Sequence, residues 1–280
     1  MYKCKLNNRR TRKSAGDGRT RAWTIVAVAV VVAFISCAAA AQEISVAAAA
    51  DLQFAFQDVA ARFQKDTGKT VKLTFGSSGN FFAQIQNGAP FDLFFSADID
   101  YPKRLESAGL AEPGTLYRYA TGKLVLWVQN DSKLDLARGL QILLDPSIQK
   151  IAIANPEHAP YGRAAVAALR HENIYDQVSG KFVLGENISQ TATFVVSGSA
   201  DIGIVALSLA VASSMKNKGR YFEIPPDHYP PIEQAAVVIK SSQHRDVARQ
   251  YLDFLQTPTV QELLRSYGFS VPDKQPSTHP

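Results

Sequence analysis

From residue 44 onward the chain alternates short apolar runs with amphipathic helical runs, and this alternation limits its fold more than any other feature. Ile44–Ala48 has the apolar character of a buried strand; Leu52, Phe56, Val59 and Phe63 then recur at helical spacing up to Gly68. The same alternation continues with strands expected at Val71–Phe75, Phe91–Phe95, Leu124–Gln129, Ile151–Ala154, Lys181–Leu184, Ile202–Ala206 and Ala235–Ile239. Helices are expected at Asn80–Asn87, Tyr101–Ala108, Leu140–Leu144, Arg163–Glu172, Thr191–Ser197, His244–Gln256 and Pro258–Gly268. The Pro-rich segment Tyr221–Pro231 reads as a loop. Repeated strand–helix units predict an α/β fold with mostly parallel sheets. The units form two sets, before and after about residue 122, and the last strand and helices can return to the first set.

Ligands of open α/β sheets sit beyond the carboxyl ends of the strands, so the strand-to-helix turns are where a site is expected. Four turns stand out: Ala47–Asp51, Gly76–Gly79, Asn155–Gly162 and Glu186–Gln190. The second reads Gly76-Ser77-Ser78-Gly79. Glycine admits close backbone approach. The first N–H groups of a helix have no intrahelical partner, and the helix dipole favours negative charge there. Two hydroxyls add neutral donors, and the turn holds no Lys or Arg. Any one such turn is equally explained as a helix cap. Four of them at strand ends suit a cleft in which backbone N–H groups replace the water shell of an oxyanion.

Charge is informative only once the N-terminus is set apart. Residues 1–22 are basic, an apolar run from Trp23 to Ile35 follows, and Ala38–Ala41 then precede Gln42, the pattern of a secretory signal peptide cleaved after Ala41. The apolar run falls short of the about 20 residues that span a bilayer. Phe34-Ile35-Ser36-Cys37 loosely resembles a lipoprotein box, which leaves a lipid-anchored Cys37 as the alternative. Residues 1–41 hold eight of the 30 Lys and Arg and one of the 25 Asp and Glu, so the remainder carries 22 basic against 24 acidic residues, a net charge of −2. The basic balance of the whole chain therefore belongs to the export signal and implies no nucleic-acid partner. Both cysteines lie in the same segment, which leaves no thiol for catalysis, metal binding or a disulfide in the remaining 239 residues.

Other candidates are weaker. Glu157, His158, His228 and His244 show no metal-binding spacing and read as surface residues. Gly76–Gly79 is not the G-x-S-x-G of a hydrolase, and no His partner for its serines is assignable from sequence. Asp92, Asp98 and Asp201 read as turn braces, Arg163 as a solvated helix start, and Phe54, Phe56, Phe63, Phe94 and Phe95 as core.

From Glu43 to Val271 the chain resembles the molybdate-binding periplasmic proteins of ABC transporters. The segments that carry the resemblance are Ser45–Leu52 (SVAAAADL), Gly76–Gly79 (GSSG), Gln84–Pro90 (QIQNGAP) with Asp92–Asp98 (DLFFSAD), Asn155–Gly162 (NPEHAPYG), Gly203–Ala206 (GIVA) and Arg265–Phe269 (RSYGF). No one of these is specific; in family order over the whole mature chain they are. The resemblance implies a type II periplasmic-binding-protein fold: two α/β lobes joined by a two-strand hinge, with a tetrahedral oxyanion, molybdate or tungstate, in the cleft. It implies lobes at residues 42–122 plus 236–280 and at 123–235. It also implies a monomer without catalysis or cofactor, located in the periplasm and working with the permease and ATPase of an ABC importer. Ser78 matches a hydroxyl and amide donor, Tyr161 and Ile188 match backbone-amide donors, and Ala50 and Asp51 match the first turn of the site. The only metal implied is the molybdenum of the ligand, held through these residues.

Two positions depart from the family. Asp51 stands where many members have Ser, and Ala206 where many have Tyr, a lost hydroxyl for which Tyr161 could compensate. A carboxylate beside a dianion is repulsive, so the Asp51 side chain is expected to turn away and cap the first helix, leaving the backbone N–H groups of residues 50–51 to face the anion. Alternatives are a binder of sulfate, thiosulfate or phosphate on the same fold, and a secreted serine hydrolase using Ser77 or Ser78.

Overall fold

A computed structural model describes residues 43–272, together with Met1. The expected signal segment, its cleavage site after Ala41 and Cys37 lie outside these residues. Among the described residues no helix is long and apolar enough to cross a membrane.

Two five-stranded sheets organise the chain. The first contains β1 (Glu43–Ala49), β2 (Thr70–Gly76), β3 (Leu93–Ser96), β4 (Tyr117–Gly122) and β10 (Ile232–Val238), in the order β2-β1-β3-β10-β4. The second contains β5 (Leu124–Gln129), β6 (Ile151–Ala154), β7 (Phe182–Gly185), β8 (Ile202–Ala206) and β9 (Gly219–Glu223), in the order β7-β6-β8-β5-β9. The two orders are equivalent. In each sheet three strands run parallel, and a fourth, β10 or β5, lies antiparallel between its neighbours.

The chain passes from the first sheet to the second through Lys123 alone, between β4 and β5, and returns through residues 224–231. These two crossings make the hinge. The expected boundary at 235/236 falls inside β10, which pairs with β3 and β4 of the first sheet from Ile232 onward.

Among the described residues, seven α-helices of eight or more residues flank the sheets: α1 (Gln53–Thr67), α2 (Ser78–Gln86), α3 (Asp100–Ser107), α4 (Pro160–His171), α5 (Ile188–Val196), α6 (Arg245–Phe254) and α7 (Pro258–Ser266). In α1 the residues Ala55, Phe56, Val59 and Phe63 are buried, the face that the sequence period marks out, and Gly68 ends the helix with φ +72°. Phe56, Phe95, Tyr119 and Tyr251 then pack edge-on in the first lobe, with the Phe56 and Phe95 ring centroids 4.8 Å apart.

Three helices begin two or three residues before the apolar period does. α2 starts at Ser78 behind the cap Ser77, α4 at Pro160, and α5 at Ile188 behind the cap Asn187. Cap residues and an N1 proline set these starts, and neither contributes to an apolar repeat. Two strands absent from the sequence reading also form. β4 borders β10, and β9 borders β5, so Tyr221 belongs to a strand and not to the expected loop. The expected helix at Leu140–Leu144 is the end of a 3-10 stretch, Leu136–Leu144, interrupted at Gly139.

Candidate functional site

A small, half-open cavity between the lobes collects residues from all four turns. Its walls include Ala50, Asp51 and Ser78 from the first lobe and Tyr161 and Ile188 from the second. Gly76, Ser77, Ala97, Pro160 and Asn187 complete most of the remainder. It holds about 200 Å³ of non-atom space, part of it open to solvent. No Lys, Arg or His lines it.

The donors are local consequences of helix starts. Ser78 and Ile188 are the first residues of α2 and α5, and Tyr161 is the second of α4. N–H groups at such positions have no intrahelical acceptor, and no turn or cap bond among the described residues engages them. Each cap side chain serves a neighbour: Asn187 accepts from the N–H of Ser189 and of Gln190 at 3.0 Å, and Ser77 Oγ accepts from Asn80. Ser78 Oγ accepts from the N–H of Ala97 at 2.9 Å, and among the described residues its hydroxyl proton has no protein acceptor. Three helix N-termini and one hydroxyl thus offer neutral donors to one small space.

Asp51 departs from expectation. It sits in a 3-10 turn, Ala50–Leu52, and neither that turn nor α1 has a side-chain cap. Its Oδ2 instead accepts from Tyr161 Oη at 2.9 Å and from Gln234 Nε2 at 2.6 Å. Gln234 Nε2 also lies 3.1 Å from Tyr161 Oη, and Gln234 Oε1 accepts from Tyr119 Oη at 2.8 Å. Asp51 is 1% exposed, and its donors reach it from α4 and β10, which hold it away from a local cap. The expected compensation by the Tyr161 hydroxyl also fails, because that hydroxyl is committed to Asp51. Gly122, at the end of β4, makes room for this knot: a Cβ there would fall 2.0 Å from Tyr161 Oη.

Burial pushes the Asp51 carboxyl up to about 6, against the lowering pull of Gln234, Tyr161 and its own backbone N–H. The Tyr161 and Tyr119 phenols are pushed well above their ordinary value, by burial first and by Asp51 second. Asp51 Oδ1 is buried without a hydrogen-bond partner. An ionised Asp51 about 5 Å from a ligand would cost roughly 3 kcal/mol per unit of ligand charge at an effective dielectric near 20. Protonating a carboxyl of this pKa at neutral pH costs about 1.4 kcal/mol.

The lobes are clasped around the cavity. Gly79 N–H donates to the His158 carbonyl at 3.0 Å, and Ser77 Oγ lies 2.9 Å from His158 Nδ1 and 3.0 Å from the same carbonyl. Arg163 forms an ion pair with Asp98 and bonds Tyr101, Asn80 bonds Glu186, and Ser208 Oγ donates to the Asp51 carbonyl at 2.7 Å. Arg163 is therefore no solvated helix start, and His158 is no free surface residue. Both bridge the lobes.

His158 also supplies the imidazole that the sequence did not give the Gly-Ser-Ser-Gly turn, with Glu186 3.6 Å from its other nitrogen. Ser77 belongs to one lobe and His158 to the other, so the pair assembles only where the lobes meet. His171, Glu172 and His228 form a second cluster, with His228 Nδ1 3.1 Å from a Glu172 oxygen. The two rings are stacked at 4.3 Å. A metal bonds an imidazole nitrogen in the plane of the ring, and rings stacked face to face offer no shared point of that kind.

Asp92 and Asp201 brace backbone N–H groups as expected, of Ser45 and of Gln149 and Lys150. Gln234, Tyr119 and Ser208 are supporting residues that the sequence reading missed. Gln234 carried one signal, a polar residue inside the apolar run of β10, and it is fully buried.

Two lobes of equivalent topology, joined by two crossings and closed over a cavity lined with helix N-termini, define a two-lobed solute-binding protein. The chain belongs to the bacterial extracellular solute-binding protein family, whose model matches residues 44–270. It is 40% identical over 231 residues to the molybdate-binding protein ModA of Rhodobacter capsulatus, covering 82% of this chain and 89% of the relative. It is 38% identical over 244 residues to ModA of Azotobacter vinelandii, covering 87% and 96%. Among solved structures, the periplasmic molybdate-binding protein of Azotobacter vinelandii matches with a TM-score of 0.78 at 34% identity, over 82% of this chain and all of that one.

Proposed function

We propose that this protein is the substrate-binding component of a molybdate ABC importer, capturing molybdate or tungstate between its lobes. The observation that carries the reading is the convergence of the free N–H groups of Ser78, Tyr161 and Ile188, with the Ser78 hydroxyl, on one cavity without basic side chains. Neutral donors aimed at one point suit a compact oxyanion with acceptor oxygens on every side. The backbone N–H groups of Ala50 and Asp51 complete the proposed set. The relatives named above support molybdate as the oxyanion.

Capture couples to hinge closure. Residues 78 and 161, on opposite lobes, reach one ligand only when the lobes are shut, and the bridges at His158 and Arg163 hold that state. The closed form then docks on the permease and ATPase of the importer, in the periplasm, as a monomer and with no resident cofactor. The lobes are assigned to residues 43–122 with 232–272 and to residues 123–231, from the sheet to which each strand belongs.

One observation favours a second reading. Asp51 Oδ1, buried and unpartnered, is a suitable acceptor for the proton of hydrogenphosphate. Thermal-shift titration with molybdate, tungstate, sulfate and phosphate separates the two. Molybdate and tungstate are expected to stabilise the protein as RT ln(1 + [L]/Kd), about 4 kcal/mol at a thousandfold excess over Kd. A response to sulfate or phosphate equal to that for molybdate refutes the molybdate assignment.

A further inference from the structure

With the proposed donors assigned, and Ser77 and Asn187 engaged as caps, the carboxyl of Asp51 is the polar group of the cavity wall left to explain. That carboxyl is asymmetric. Oδ2 accepts two hydrogen bonds, from Tyr161 and Gln234, while Oδ1 is buried with none. The groups that face it are neutral: the phenols of Tyr161 on α4 and Tyr119 on β4, the amide of Gln234 on β10, and the hydroxyl of Ser208 on its backbone carbonyl. Among the described residues no cation acts on its charge. An anion entering the cavity meets either a carboxylate that repels it or a carboxylic acid that donates to it.

We propose that Asp51 binds the oxyanion as a neutral carboxylic acid, with its proton on Oδ1 donated to a ligand oxygen, so that capture of a fully ionised oxyanion takes up one proton from solvent. This rests on the oxyanion reading of the cavity. Two features support it. Oδ1 is the only carboxyl oxygen left without a donor, so it is the one that can carry the proton without losing a hydrogen bond. Burial has already raised the carboxyl to about 6, which makes protonation cheaper than the repulsion it removes. Asp51 then takes the place of a hydroxyl donor and makes capture pH-dependent. It also becomes a determinant of specificity. Molybdate, fully ionised at neutral pH, needs the acid form, whereas hydrogenphosphate brings its own proton and needs the carboxylate.

Calorimetric titration of the purified protein with sodium molybdate, in buffers of different ionisation enthalpy, measures the uptake directly. At pH 7.5 an uptake close to one proton is expected, falling toward zero at pH 5, with affinity dropping about tenfold per pH unit above neutrality. Asp51→Asn is expected to abolish the uptake and to flatten the affinity profile. His158→Gln removes the ionisable ring bonded to Ser77 and one bridge between the lobes; it is expected to weaken binding while the uptake per bound molybdate stays close to one. Tight binding at pH 7.5 without proton uptake overturns the proposal. So does an uptake that survives Asp51→Asn and disappears in His158→Gln. Absence of molybdate binding at every pH refutes the oxyanion reading itself, and this proposal with it. If Asp51→Asn does not fold, the buffer series on the unaltered protein decides alone.

Discussion

Asp51→Asn in the ligand-free protein isolates the energetic effect of burying this carboxyl. The ordinary value of the group is 3.8, and in the folded protein it rises to about 6 because burial disfavours the charged form. A carboxyl raised in this way binds more proton folded than unfolded between those two values. Its contribution to stability is therefore fully present below pH 3.8 and is lost as pH rises through about 6. At 1.36 kcal/mol per unit, the stability withdrawn by pH 8 is about 3 kcal/mol. Asparagine keeps the shape and the acceptor for Tyr161 and Gln234 and has no charge to bury. The stability of the variant minus that of the parent is thus expected to increase by about 2.5 kcal/mol from pH 4 to pH 8, with most of the change between pH 4 and pH 7. Subtraction cancels every other titrating group. Urea unfolding followed by circular dichroism in anion-free buffer measures the difference; in thermal scans it corresponds to roughly 5–10 °C. A difference that stays constant across the range refutes the claim that burial penalises the Asp51 charge.

Ser78→Ala removes the hydroxyl donor and leaves the Ala97 N–H without its acceptor; molybdate affinity is expected to fall about 10- to 100-fold by calorimetry, as for a hydrogen bond to a charged group. Gly79→Ala places a Cβ 2.7 Å from the His158 carbonyl of the opposite lobe. Affinity should fall, because the added Cβ opposes the close approach of the two lobes; equal affinity for parent and variant refutes the tight approach. Arg163→Ala breaks a half-exposed bridge to Asp98. It should change stability by less than about 1 kcal/mol yet speed ligand release in stopped-flow measurements, and an unchanged release rate refutes its role as a clasp.

The alternation of apolar runs and helical periods gave the fold class, because strands and amphipathic helices are written in local periods of two and 3.6. The turns at strand ends marked where a site could lie, because a helix start leaves its first N–H groups free wherever it occurs. Within those turns the family resemblance singled out Ser78, Tyr161 and Ile188, and all three line one cavity with Ala50 and Asp51. Element edges were less legible. β4 and β9 are strands only by virtue of β10 and β5 beside them, a pairing across more than a hundred residues in the first case and about ninety in the second.

What the tertiary structure alone decided is what each side chain at the site touches. Asp51 meets Tyr161 and Gln234 from positions 110 and 183 residues away, Ser77 meets His158, and Asp98 meets Arg163. Local sequence offered Asp51 a helix to cap. The folded chain surrounds it instead with neutral donors and removes it from water, and burial makes its ionisation unfavourable. The sequence placed helix starts with free backbone amides at the strand ends; only the packing of the two lobes buried the one carboxyl among them.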